Sequence, residues 1–166
     1  MGVAAVLRPG VPMGFIDGVP FVAALGAAEA MGARVAWPHD VVGEDGEPLA
    51  HVATRAGYDD EGIYVTCELE GDAAGEAAMD AAAARVEAWA AKVAAGSKAG
   101  PLAAVLEEYF DACLLMGKPV AVVRNDGSVA CKGTLAGMDI WGRVTVKLVD
   151  GRDVEIAPGQ ASVRAL

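Results

Sequence analysis

A chain of 166 residues can bury a core of its own, as one ordinary domain or as a medium domain beside a small one. Its net charge of −10 argues against nucleic acid as a partner, because phosphate binding needs a basic surface. Apolar residues make up 54% of it but never run for the roughly 18 uninterrupted positions of a membrane span, so a cytoplasmic protein with no membrane partner is expected.

In chain order, Gly2 to Arg8 alternates small and branched apolar residues before Pro9-Gly10 and reads as a strand. Asp17 is placed to cap a helix opening at Pro20, apolar on nearly every face from Phe21 to Met31 and stopped by Gly32. Short strands follow at Arg34 to Trp37 and at Val41-Val42, then the turn Gly43 to Gly46, a strand from Pro48 to Thr54, and another from Gly62 to Leu69. From Ala73 to Ala95, 13 of 23 residues are Ala, and Met79, Ala82, Ala83, Val86, Ala90 and Val93 keep helical spacing, which makes this the most secure helix. Its small side chains allow a close partner helix, and Trp89 is expected half exposed. Pro101 opens a further helix striped by Leu102, Val105, Leu106, Tyr109, Phe110 and Cys113 and ending at Gly117.

After Gly117 the texture changes to five short strands of β-branched residues divided by turns such as Asn125-Asp126-Gly127 and Asp150-Gly151, the pattern of a small SH3-like barrel. Charge changes at the same place. Residues 1–115 carry 18 acidic and 6 basic side chains, and residues 116–166 carry 5 and 7, which supports two domains, 1–115 and 116–166. The expected class is therefore α+β: a mixed sheet with helices, then the barrel. Cys67, Cys113 and Cys131 are too far apart for a metal knuckle or a disulfide framework and read as reduced, mostly buried thiols.

Several runs, in order, resemble the biotin protein ligases of the biotin/lipoate ligase superfamily. ARVAWPHDVV, from Ala33 to Val42, is similar to their KWPND segment, and the strand from Pro48 to Arg55 stands where they have KLAGIL. LMGKPV at Leu115 to Val120 resembles the entry to their C-terminal domain, Gly137 to Gly142 with Asp139 resembles a G-x-D-x-x-G turn, and GQASVR, ending at Arg164, resembles their closing run. The resemblance implies a ligase-like α+β domain with an SH3-like barrel. It implies, as the family activity, formation of biotinyl-adenylate from biotin and ATP and transfer of biotin to a lysine of a carrier protein.

The same comparison shows departures. The family's GRGRxGR loop would precede Met1, so the chain reads as truncated at its N-terminus. The lysine of KWPND, implied by the resemblance to bring biotin carboxylate and α-phosphate together, is Ala36 here, and a cation is what two approaching anions require. His39 replaces the motif's asparagine, Pro48 and His51 replace the lysine and glycine of KLAG, and Tyr64 to Glu68 lacks the glycines and asparagine of the family's GIGIN run. No catalytic residue is assigned. The chain reads as a pseudoenzyme, a non-catalytic binding or interaction module; the alternative is one subunit of a split biotin/lipoate ligase completed by a partner chain. Expected partners are a second copy in a homodimer or that complementing ligase chain, with a biotin carrier protein as a further candidate. No cofactor is assigned, biotin or ATP being bound only where a residual pocket survives.

Trp37, Pro38, His39, Asp40 and His51 are the residual biotin-pocket candidates, and Gly137, Asp139, Gly142 and Arg164 are the barrel motif positions. The run from Trp37 to Asp40 has a plain reading too, with Trp37 packed in the core and Asp40 bonding backbone at a turn. His39, Asp40 and His51 are ligand types suited to zinc or iron, but the chain has two histidines and no third firm ligand, so no metal is assigned. The acidic groups Glu44 to Glu47 and Asp59 to Glu61 read as solvated hairpin tips. Trp141 reads as stacked under the barrel, with ligand contact as the other option.

Overall fold

The computed structural model describes residues 2–166 and contains two five-stranded antiparallel sheets and three α-helices. The first sheet is built from β1 (Gly2–Leu7), β2 (Arg34–Ala36), β3 (Asp40–Val42), β4 (Pro48–Asp59) and β5 (Gly62–Glu70), in the order β1-β5-β4-β3-β2. The only parallel pairing among the described residues is an isolated bridge between Val35 and Cys113. β4 runs five residues beyond the Thr54 boundary expected from sequence. Its polar end, Arg55 to Asp59, is held by the ladder to β5 down to Asp59 opposite Gly62, so hairpin pairing overrides weak strand propensity there.

One face of this sheet is the core. Val35, Val41, Val52, Val65, Cys67 and Leu69 are buried under α1 (Val19–Ala30) and α2 (Glu76–Ala94). α1 is buried from Val19 to Ala28, which explains its apolar character on every side. It is preceded by a 3-10 turn, Met13–Gly18, and Asp17 makes no capping hydrogen bond; Gly18 holds the cap position. The small faces of the two helices do meet closely. A Cβ on Gly26 would stand 2.7 Å from the Ala81 carbonyl oxygen and 2.9 Å from Ala82 Cα. Trp89 is not half exposed: it is 1% exposed and donates Nε1–H to the Pro101 carbonyl at 2.7 Å, because α2 turns this face onto the segment that follows it.

The helix expected from Pro101 to Gly117 is shorter, α3 (Leu106–Ala112). Residues 101–105 are turns, tied to the barrel by the Leu102 N–H on the Ile140 carbonyl, and at Cys113 the backbone becomes extended to meet Val35. Arg34 closes the C-terminal end of α3, donating Nε–H to Ala112 O and an NH2 group to Asp111 O, both at 3.0 Å.

The second sheet holds β6 (Pro119–Val123), β7 (Val129–Met138), β8 (Val144–Leu148), β9 (Asp153–Ile156) and β10 (Ser162–Ala165), in the order β10-β6-β7-β8-β9. All five expected strands are present. The barrel is open, with no ladder between β9 and β10 among the described residues. Val120, Val122, Leu135, Val144, Val146 and Ile156 join the same hydrophobic core as the first sheet. Met13–Ala30 is long and apolar enough to cross a membrane by length and composition alone, yet most of it is packed inside this core.

Candidate functional site

The β-strand period of two places Asp40, His51 and Glu70 on the sheet face opposite the helices. Ladder pairing then lines up Ala36 with Asp40, Asp40 with His51, and His51 with Glu70, one row across four strands. His51 Nδ1 is hydrogen-bonded to Asp40 Oδ1. That bond and the nearby Glu70 charge raise the His51 pKa above its ordinary value against a smaller effect of burial. Glu68 extends the acidic row opposite Ala53. Asp40 therefore serves a strand and a histidine side chain; the turn role expected of it is not what the ladder gives.

His39 lies beside this row. Its ring is 5.4 Å from that of His51, centroid to centroid, and 5.7 Å edge-on from Phe21. Burial lowers its pKa, with the neighbouring His51 adding to the effect, and its buried Nδ1 has no hydrogen-bond partner. Sequence reasoning thus named three residues, His39, Asp40 and His51, that the fold brings together. Among the described residues no group of three or more His, Cys, Asp or Glu side chains has the arrangement of a metal site.

Trp37 and Pro38 have another task. Trp37 is 4% exposed and donates Nε1–H to the Gly142 carbonyl at 2.8 Å; Pro38, in a cis peptide, offers its carbonyl to the Tyr109 hydroxyl at 2.7 Å. Complete burial pushes the Tyr109 phenol well above its ordinary range, so it stays a neutral donor. These two bonds fasten the β2–β3 connection to the barrel and to α3. The Trp37 side chain belongs to the core and not to the row around His51.

The barrel motif positions divide in the same way. Asp139 organises its turn: Oδ1 accepts the N–H groups of Trp141 and Arg143 at 2.9 and 3.0 Å, and Oδ2 accepts Arg143 Nε–H at 2.7 Å. Gly142 sits at φ +86°, where a Cβ would stand 2.6 Å from Phe21 Cζ. Gly137 has open space around it, and Arg164 is exposed on β10. Trp141 is not under the barrel. It is 48% exposed, edge-on to Phe15, because the Asp139 turn lifts it over the junction of the two sheets.

At that junction lies a cavity of about 840 Å³, lined among others by Asp17, Phe21, His39, Thr54, Trp141 and Arg143. Sequence reading missed it, because its walls come from five segments that no local pattern connects. Cys67 and Cys113 are buried thiols, the former pushed up to about 11 by desolvation, and all three cysteines are free.

No protein-family model matches the chain, and no curated protein matches it. Solved structures do. The biotin protein ligase from Aquifex aeolicus in complex with biotin and ATP superposes with a TM-score of 0.65 at 15% identity, covering 99% of this chain and 78% of that one. A further crystal structure of the A. aeolicus ligase gives 0.64 at 16% identity, and its apo structure gives 0.68 at 16%, each over 99% of this chain and 82% of the other. Along nearly its whole length, then, the chain has the fold of the biotin protein ligases.

Proposed function

We propose that this protein is a biotin-ligase-like binding or interaction module that does not biotinylate on its own. The observation that carries the reading is the row Ala36, Asp40, His51, Glu70 on the open face of the first sheet. If biotin carboxylate and ATP met on this face, the groups there would have to neutralise developing negative charge. The row instead supplies two carboxylates and one imidazole, and Glu68 adds a third carboxylate beside it. Anionic substrates are repelled from such a surface, and the excess of acidic residues in 1–115 strengthens the repulsion.

The module acts with a partner. Among the described residues β1 pairs with β5 on one side only, and its outer edge, Gly2–Leu7, carries no charge, proline or bulge to discourage another strand. A second copy of the chain is the partner we propose for that edge, in the cytoplasm, where free cysteines persist. Residues 1–115 and 116–166 are the two domains of this reading. Incubation with biotin, ATP and a biotin carrier protein tests it: no labelling is expected, and turnover by the purified chain would sink the proposal. Labelling that arises only when a second chain with a GRGRxGR loop is added supports the split ligase instead.

A further inference from the structure

The cavity at the junction of the two sheets has no part in the reading above. Its volume of about 840 Å³ falls in the ~300–1,000 Å³ range of small-molecule sites. Pro20, Phe21, Trp141 and Pro158 give it apolar walls, and its polar groups are few: Asp17, Thr54, His39 and Arg143.

The charges decide what fits. Arg143 is the one cation in the wall, and it is already engaged by Asp139 and lies in the field of Glu155. Asp17 has no ion-pair partner among the described residues. With Arg143 paired to Asp139, Asp17 is the charged group of the wall that stands without an ion-pair partner among the described residues. The exposed electron-rich ring of Trp141 also favours a cation.

We propose that this cavity binds a small organic amine, its ammonium group held by Asp17 and its apolar body lying against Trp141 and the proline-lined wall. An ammonium carries donors and no acceptors, which matches a site whose unpaired charged group is a carboxylate. The proposal stands on the cavity alone, so the outcome of the biotinylation assay leaves it untouched.

Three probes of nearly equal size separate charge from shape: 2-phenylethylamine, 2-phenylethanol and phenylacetate. Trp141 reports locally, since Trp37 and Trp89 are buried, and calorimetry measures affinity independently. Saturable binding is expected with the amine tightest and the carboxylate weakest. Asp17→Asn, an exposed change at a residue that caps no helix, should weaken the amine about five-fold and leave the alcohol unchanged. Equal affinity for all three probes, tighter binding of phenylacetate, or an unaffected amine in D17N overturns the proposal. So does the absence of saturable amine binding at a Kd on the order of 1 mM or tighter.

Discussion

Gly142→Ala and Gly137→Ala make the same chemical change at the two ends of one turn, and the structure predicts opposite outcomes. At Gly142 the backbone holds φ +86°, and the new methyl would lie 2.6 Å from Phe21 Cζ and 3.0 Å from Cε2. A non-glycine residue in that conformation costs about 1–3 kcal/mol. Forcing a carbon into a packed ring adds roughly 1–3 kcal/mol, since Phe21 is 2% exposed and has little room to retreat. Any shift of the turn also stretches the bond from Trp37 to the Gly142 carbonyl. Together these give a loss of about 2–6 kcal/mol for Gly142→Ala. Gly137 lies in β7 without positive φ and with nothing within 4 Å of its would-be Cβ, so Ala there should stay within about 0.5 kcal/mol of the parent. Urea unfolding followed by tryptophan fluorescence measures both. Equal effects of the two changes, or a Gly142→Ala variant as stable as the parent, would refute the claim that this turn locks the barrel onto α1.

Gly26→Ala sets helix propensity against packing: the gain of about 1 kcal/mol from replacing glycine is outweighed by a methyl 2.7 Å from the Ala81 carbonyl, so thermal unfolding should show net destabilisation. NMR titration should place His51 above and His39 below the ordinary histidine value of about 6.5, and the reverse order would contradict the Asp40 bond and the burial of His39. The sign for stability follows: the His51–Asp40 contribution is full below the unfolded pKa and fades as pH rises through the raised folded one. The penalty for charging buried His39 appears as pH falls below its unfolded pKa. Asp40→Asn should remove the first dependence while keeping the second. Alkylation followed by mass spectrometry should modify Cys131 first, with Cys67 and Cys113 protected until the chain unfolds; early loss of Cys67 would show that its strand is not buried as described.

Much of the fold could be read from the chain because its elements announce themselves locally. α2 has alanine and a regular apolar stripe, α1 is apolar on all sides because it is buried on all sides, and the barrel strands are cut out by turn residues. The errors fall where distant segments decide. Trp89 is buried by Pro101, α3 is shortened by a bond to Ile140, and β4 is lengthened by its hairpin partner.

The same distinction explains which part of the site was legible. His39, Asp40 and His51 were grouped by residue type, as possible metal ligands, and the fold brings them together because the β3–β4 hairpin pairs Asp40 with His51. Trp37 belonged in that group only by adjacency in sequence. Alternation along the chain sends its indole toward Gly142, 105 positions away, so a continuous motif is divided between a joint and an exposed face. That division has a physical meaning for the family resemblance. Positions that hold the two sheets together, Trp37, Asp139 and Gly142, carry residues whose bonds and conformations the joint requires. Positions on the open face, Ala36, His51 and Glu70, are free of that packing constraint and carry side chains that the fold alone does not demand. The charge carried there, by Asp40, Glu68 and Glu70 against His51, is chiefly negative.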